Sequence, residues 1–383
     1  MPPPTPCGRP PGGDAGGPAE PDPPHPGSGA AICQSAGFAP WGAPAGRREG
    51  RVLVPLAVSE QARRGYGGEA RVVGMGGPTM GTSWAVRLVD DGGVPPDLEE
   101  RVRATLDGIV GQMSNWRDDT DLSRFNAAPA GSWHALPDDL FVVLEQALSV
   151  ARESGGAYDP TVGPLVDLWG FGPQGPCARP SADEVQAVRG RVGWDRIELD
   201  VAGRRARQPG GAYVDLSGIA KGYAVDAVAR CLRRAGVAGY LVEIGGELVG
   251  HGVKPDGTPW WVELDRAWDT AGVSSVPPTL VALEGLAIAT SGDYRRHVSD
   301  GQGMYSHTLD PRTGAPIGNG VVSVTVLHPE CMAADALATA LTVMGPDEGL
   351  RWASRRGLAA QFVQRTAQGY QETMTPNFAA MME

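Results

Sequence analysis

The chain has 383 residues, 42% of them hydrophobic, and a formal net charge of −11 at pH 7 from 44 acidic and 33 basic residues. This length and apolar content allow one large or two ordinary domains, and the acidic balance argues against binding to nucleic acid or to anionic membrane surfaces. The chain has five cysteines, which is an odd number, and they are widely spaced with no CxxC pair. This pattern disfavours a disulfide framework or a zinc site.

The N-terminal segment differs in composition from the rest of the chain. Residues 1–28 consist largely of Pro and Gly, a composition that cannot offset the entropy of ordering. We therefore predict a disordered tail and linker over residues 1–70, followed by one domain over residues 71–383. The tail lacks the features of a secretory signal and no run of about 20 apolar residues occurs, so no transmembrane segment is predicted. The sequence as given predicts a cytoplasmic protein; a mis-assigned start codon would instead allow the extracytoplasmic face of the membrane.

From residue 71 the chain alternates between helical and strand patterns. Apolar spacing predicts helices over residues 98–113, 137–155, 218–234 and 331–343. Short strands are predicted over residues 196–199, 240–244, 260–264, 280–283 and 321–327. No period of 20–50 residues repeats, which excludes a solenoid or propeller. The order of elements predicts an α+β fold with mixed sheets flanked by helices.

The most informative segment is VDLSGIAKGY over residues 214–223. It is typical of a strand end, an N-cap at Ser217 and the start of a helix. The N-terminus of a helix is already positive, so Lys221 in the first turn indicates that an anion binds there together with free backbone N–H groups. Asp215 would then bind a polar group of the same ligand. The alternative is a capped surface helix whose lysine points into water.

A second segment places one carboxylate and one hydroxyl among small apolar residues. Asp335 and Thr339 are four residues apart and therefore lie on one face of a helix. A buried carboxylate needs a partner, and Mg²⁺ with oxygen ligands and phosphate oxygens is one candidate. The alternative is that Asp335 stabilises the helix N-terminus and Thr339 bonds back to its own helix.

Two further segments have weaker signals. His307 precedes a turn rich in Asp, Pro, Thr and Gly, and histidine is the side chain best suited to accept a proton near neutral pH. Tyr158 and Asp159 lie in a loop that begins with two glycines, where an aromatic side chain could support a planar ring. A structural histidine and an ordinary loop are the alternatives. The chain lacks GxxxxGK[ST], GxGxxG after a strand, HExxH and GxSxG, so common nucleotide and hydrolase folds have no support.

In this order, the segments resemble the ApbE family of FAD:protein FMN transferases. The resemblance covers roughly residues 75–365, about three quarters of the chain. It is carried by TMGT at 79–82, MSNW at 113–116, LSRFN at 122–126, and the segments 156–173, 215–226, 243–247, 290–292, 307–314 and 334–341.

The resemblance implies an ApbE-like fold and assigns roles to individual residues. Positions that contact FAD in the family fall on Met80, Trp116, Ala157, Tyr158, Asp159, Asp215, Lys221 and Leu309. The metal positions fall on Asp335 and Thr339, with a backbone carbonyl from Gly218, and the proposed general base falls on His307. Two positions depart from the family pattern: Trp116 replaces a common Tyr, and Tyr158 replaces a common Phe.

The implied activity is Mg²⁺-dependent transfer of the FMN part of FAD to a Thr or Ser hydroxyl of an acceptor protein, with release of AMP. The implied partner is a protein with a short flavinylation motif, such as a subunit of an Rnf- or Nqr-type redox pump. Two alternatives stay open: an FAD pyrophosphatase that uses water as acceptor, and a protein that binds FAD without chemistry. The presence of His307, Asp335 and Thr339 argues against binding alone and does not separate transferase from hydrolase.

Overall fold

The computed structural model describes residues 51–56, 66, 69–264, 279–292, 297–300 and 303–382; residues 1–50 of the tail and linker predicted over residues 1–70 lie outside them. The helices are α1 (Leu98–Met113), α2 (Asp121–Asn126), α3 (Asp138–Glu153), α4 (Gly163–Leu168), α5 (Ala182–Arg189), α6 (Ala220–Arg234), α7 (Cys331–Arg355) and α8 (Pro376–Ala379). The strands are β1 (Arg51–Leu53), β2 (Arg71–Thr79), β3 (Thr82–Asp90), β4 (Trp133–Ala135), β5 (Glu198–Asp200), β6 (Arg205–Arg207), β7 (Tyr240–Ile244), β8 (Glu247–His251), β9 (Trp260–Glu263), β10 (Thr279–Leu283), β11 (Leu286–Gly292), β12 (His297–Asp300), β13 (Gly303–Ser306), β14 (Leu309–Asp310), β15 (Ala315–Pro316), β16 (Val321–His328), β17 (Ala359–Thr366) and β18 (Gly369–Met374).

An eight-stranded sheet forms the centre of the molecule, in the order β18-β17-β16-β11-β8-β7-β3-β2. Every neighbouring pair in it is antiparallel. Of the described sheets, the one that is mixed is β1-β10-β9, where β1 runs parallel to β10. The predicted α+β class is confirmed, with the difference that the main sheet is antiparallel.

The central sheet is covered on both faces at its middle, so β7, β8 and β16 are buried almost throughout, whereas the edge strands β2 and β18 have no fully buried residue. On β7, Val242 and Ile244 face the core made with α1, α6 and α7, whereas Leu241 faces the opposite core with β9, β10 and α8. This alternation follows from the two-residue period of a strand. Leu53 of β1 is fully buried in the second core. The folded part therefore includes a strand that precedes the domain boundary predicted at residue 71.

The predicted helices are present, with differences at their ends that have local causes. Helix α6 begins at Ala220, not 218, and Ser217 does not cap it. The carboxylate of Asp215 accepts the Ser217 N–H at 2.8 Å, so Asp215 closes the turn that leads into the helix. The strand predicted over 196–199 is replaced by a 3₁₀ turn over Trp194–Arg196 and the short strand β5.

Helix α7 consists of two helical pieces joined at Gly345. This glycine has φ of 78°, and Pro346 follows it, so the backbone ladder breaks at this point. The side chain of Asn319 donates to the carbonyls of Thr342 and Val343 at 2.9 and 3.3 Å, which satisfies the end of the first piece. The prediction that this helix ends near residue 343 describes the first piece only. Within the part of the chain that the structure describes, no helix has the length and apolar character needed to cross a membrane.

The N-terminus of α7 is held by an acidic side chain from α6. The carboxylate of Asp226 accepts the backbone N–H groups of Cys331 and Met332 at 3.0 and 2.9 Å. These N–H groups lie in the first turn and have no acceptor within the helix. A negative charge at this position also interacts favourably with the positive end of the helix dipole. Asp226 therefore fixes the two helices relative to each other.

Asp226→Ala is expected to lower the free energy of unfolding by roughly 2 kcal/mol, because two buried N–H donors lose a charged acceptor. Urea denaturation followed by circular dichroism measures the change. Asp107→Ala on the exposed face of α1 is the matched control and should leave the midpoint within error of the wild type. Equal midpoints for both variants would show that the Asp226 contacts contribute nothing to stability.

Candidate active site

The first turn of α6 places Lys221 between two buried carboxylates. Its ammonium nitrogen Nζ is 2.9 Å from Oε1 of Glu247, at the start of β8, and 3.9 Å from Oδ2 of Asp335 on α7. The same Asp335 oxygen accepts the backbone N–H of Gly222 at 3.0 Å. Three elements that are distant in sequence therefore meet at one ammonium group.

The charges at this point are not balanced. Burial lowers the pKa of Lys221, but the carboxylates of Asp335 and Glu247 outweigh it and hold that pKa above its ordinary value. Burial raises the pKa of both Asp335 and Glu247, because one ammonium offsets only part of the cost of burying two carboxylates. Ionisation of both carboxylates would give the cluster a net charge of −1, and a further cation would favour that state.

Hydroxyl groups and a tight backbone approach lie beside the carboxylates. A Cβ atom built on Gly218 would be 3.0 Å from Oγ1 of Thr339 and 3.3 Å from Cε2 of Tyr158, so only glycine allows this approach without displacement. The Thr339 hydroxyl also lies 3.2 Å from Oγ of Ser291 on β11. Thr339 and the Gly218 backbone, which the family resemblance assigns to one metal site, are therefore adjacent.

The predicted magnesium ligands fit a hard cation. Asp335 offers a carboxylate, Thr339 a hydroxyl and Gly218 a backbone carbonyl, which are the oxygen donors that Mg²⁺ prefers. Among the described residues no group of three or more His, Cys, Asp or Glu side chains is arranged to hold a metal. The predicted set uses a single carboxylate, so phosphate oxygens and water would complete it. The presence of two buried carboxylates beside one ammonium agrees with this reading.

The hairpin between β2 and β3 brings the TMGT segment to the same place. Its two turn residues, Met80 and Gly81, have φ of 48° and 69°, and Met80 is partly buried against the main core. A Cβ atom on Gly245 would be 2.9 Å from Cγ2 of Thr82 and 3.3 Å from Cδ of Lys221. The close packing of Thr82, Gly245 and Lys221 fixes the hairpin against the first turn of α6.

Two predicted FAD-contact carboxylates have structural partners. Asp159 accepts the N–H and hydroxyl of Thr161 at 2.8 and 2.7 Å, and the N–H of Trp194 at 3.0 Å. Asp215 accepts the N–H of Ser217, while its own N–H donates to the Pro160 carbonyl at 2.7 Å. The second bond joins the loop of residues 154–164 to the loop before α6. Both residues therefore shape the site through the backbone, and a direct contact with FAD stays a prediction.

His307 and Leu309 lie against an aromatic group after α4. The imidazole of His307 meets the ring of Phe171 edge-on, with centroids 6.3 Å apart. Leu309 is buried with Leu165 and Trp169, and the indole N–H of Trp169 donates to the Gly314 carbonyl at 2.9 Å. The turn that follows His307 is thereby held in place. The role of His307 as base stays a prediction.

The remaining predicted positions differ in exposure. Trp116, in the loop after α1, is 63% exposed, whereas Ala157 is fully buried; contact of either residue with FAD stays a prediction. A cavity of about 460 Å³ opens next to Asp159, with Trp194 and Arg312 in its walls. Arg312 belongs to the turn after His307, so the cavity borders two predicted contact segments. Its volume lies in the range of small-molecule sites.

Comparison with known proteins identifies the family. Residues 80–362 match the sequence model of the ApbE family, which is more than half of the chain. The chain belongs to the ApbE family. It is 37% identical over 313 residues to a Vibrio cholerae protein named FAD:protein FMN transferase, a match that covers 81% of this chain and 92% of that protein. A Haemophilus influenzae protein of the same name is 35% identical over 342 residues, with 87% and 97% covered.

Solved ApbE structures agree with the fold. The Pseudomonas stutzeri flavinyl transferase ApbE, in its apo form, aligns with a TM-score of 0.76 and 40% identity over 82% of this chain and 97% of that one. The flavin transferase ApbE from Vibrio cholerae aligns with a TM-score of 0.75 and 37% identity over 81% and 99%. The predicted family and the predicted ApbE-like fold are confirmed, and the named members are enzymes.

Two polar residues of this ApbE site are missing from the set assigned from the sequence. Glu247 holds the Lys221 ammonium, and Ser291 contacts the Thr339 hydroxyl. Both lie in segments that carry the family resemblance, at 243–247 and 290–292. As a charged residue within such a segment, Glu247 could have been assigned to the site from the sequence. Its pairing with Lys221, 26 positions away, follows only from the fold.

Proposed function

We propose that this ApbE family member is an Mg²⁺-dependent FAD:protein FMN transferase that moves FMN from FAD to a Thr or Ser hydroxyl and releases AMP. The names of its relatives support flavin transfer. The observation that carries the finer proposal is the unbalanced cluster of Lys221, Glu247 and Asp335 beside the Thr339 hydroxyl. A buried cluster with two carboxylates, one ammonium and hydroxyl oxygen donors suits a divalent cation that accompanies a pyrophosphate.

The residues of the cluster would divide the work of binding the two phosphates. Asp335, Thr339 and the Gly218 carbonyl would hold Mg²⁺, which supplies neutralisation of phosphate charge when it is bound. Lys221 uses one of its three N–H donors for Glu247, and the others make no hydrogen bond to a described residue and would turn toward a phosphate oxygen. Its position in the first turn of α6 adds the favourable field of the helix N-terminus.

The transfer step needs a base near the acceptor hydroxyl. In the proposed step the acceptor oxygen forms a bond to the FMN phosphorus, the pyrophosphate P–O bond breaks, and AMP leaves with the bonding electrons. His307 accepts the proton of the hydroxyl as that bond forms. The packing of its imidazole against Phe171 holds the ring in a defined orientation.

One experiment tests the proposal and separates it from the two alternatives. The purified protein is incubated with FAD, Mg²⁺ and a redox-pump subunit that has a Thr flavinylation motif; intact mass and nucleotide products are then measured. Transfer predicts a mass gain of one FMN on the acceptor and an equal amount of AMP, with both lost on addition of EDTA. FMN and AMP in equal amounts without a mass gain would indicate a pyrophosphatase. Bound FAD without AMP would indicate binding alone.

A further inference from the structure

The hydroxyl of Tyr158 is a buried polar group without a protein partner. The residue is 4% exposed, and no described residue offers a donor or acceptor within hydrogen-bond distance of Oη. Its backbone is fixed, since the Tyr158 N–H donates to Oγ of Ser154 at 3.1 Å. Burial of an unpaired hydroxyl is unfavourable, so such a group in a native protein needs an explanation, and a ligand acceptor is one.

The Tyr158 side chain lies beside Gly218 and Thr339, next to the cluster of Lys221, Glu247 and Asp335. Its ring edge and the Thr339 hydroxyl both approach Gly218, at 3.3 and 3.0 Å from the position of an added Cβ. A phenolic hydroxyl carries one O–H donor, so Oη can donate a hydrogen bond to a ligand.

The neighbouring carboxylates are engaged elsewhere. The carboxylate of Asp335 accepts the backbone N–H of Gly222, and that of Asp215 accepts the backbone N–H of Ser217. Neither carboxylate is within hydrogen-bond distance of the Tyr158 hydroxyl. An acceptor that belongs to a ligand would satisfy the hydroxyl once the atoms that cover Oη in the free protein move aside. At the Gly218 and Thr339 side of the ring, the ligand atoms expected from the proposed function are phosphate oxygens.

We propose that the Tyr158 hydroxyl binds the pyrophosphate of FAD by donating a hydrogen bond to a phosphate oxygen. The proposal rests on the proposed function and adds a contact that the common Phe at this position cannot make. Tyr158 would then stabilise the bound dinucleotide through its hydroxyl and not only through its ring. The unpaired hydroxyl destabilises the free protein and is compensated when FAD binds.

Tyr158→Phe removes the hydroxyl and keeps the ring, so it tests the proposal directly. We expect the melting temperature of the FAD-free variant to be equal to or higher than that of the wild type, because a buried unpaired group is removed. The Kd for FAD, measured by fluorescence titration in EDTA to prevent turnover, should rise about 10-fold to 100-fold, as for loss of a hydrogen bond to a charged group. At least one ³¹P resonance of bound FAD should shift.

Tyr240→Phe is the matched control. Tyr240 is also fully buried, but its hydroxyl accepts a hydrogen bond from Nη1 of Arg233 at 2.8 Å. This control should lower the melting temperature and leave the Kd for FAD unchanged. A lowered melting temperature for FAD-free Tyr158→Phe, a Kd within twofold of the wild type, or unchanged ³¹P resonances would each overturn the proposal. Failure of the wild-type protein to bind FAD in both EDTA and Mg²⁺ would instead remove the proposed function itself.

Discussion

Asp335→Asn is expected to lower Mg²⁺-dependent FMN transfer by about 10²–10⁴-fold while the protein still folds. The substitution removes the negative charge that would hold the cation and keeps an oxygen that can accept the Gly222 N–H. Asp335→Ala would also leave that buried N–H without an acceptor, so a loss of activity could then come from a distorted α6. Asp335→Asn therefore separates the effect of the lost negative charge from the effect of a lost hydrogen bond to Gly222.

The measurement is the initial rate of acceptor flavinylation over a magnesium titration. Asp347→Asn, an exposed carboxylate on the same helix, is the control and should follow the wild-type curve. Thermal unfolding of both variants shows whether the fold is retained. A wild-type rate and an unchanged magnesium dependence for Asp335→Asn would show that the cation, if required, binds elsewhere.

The sequence was sufficient for the parts of the site that depend on local pattern. The spacing of Asp335 and Thr339 puts both on one helical face, and Lys221 was correctly placed in the first turn of a helix. In each case the prediction depends on residues a few positions apart, so the helical period of the sequence is sufficient to make it. The family resemblance added the order of the segments, which no single pattern supplied.

The remaining features depend on contacts between distant residues. The sequence predicted Ser217 as the N-cap of α6, but in the structure the Asp215 side chain accepts the Ser217 N–H and forms a turn before the helix. Both arrangements are common for these residue types, and propensity alone does not decide between them. The pairing of Lys221 with Glu247 requires β8 to lie beside α6, which no periodicity encodes. Strand β1 was missed because three residues give too little pattern, although Leu53 is fully buried.

His307 and Lys221 are expected to separate catalysis from binding. Lys221 would contact the pyrophosphate in the ground state, so Lys221→Ala should weaken FAD binding as well as transfer. The structure adds a further consequence, because this variant leaves Glu247 and Asp335 buried without their ammonium partner. Its melting temperature should therefore fall, and FAD affinity must be measured well below the unfolding transition.

His307→Asn should keep the wild-type Kd for FAD and lower the rate of transfer by about 10²–10⁴-fold, since a general base acts only as the hydroxyl loses its proton. Asp310 in the same turn is a poor substitute, because both its carboxylate oxygens accept hydrogen bonds from the Arg312 guanidinium. His134→Asn, on β4, is the control and should leave both quantities unchanged. Fluorescence titration gives the Kd, and gel fluorescence of the acceptor gives the rate. Transfer by His307→Asn at the wild-type rate across pH 6–9 would exclude His307 as the base.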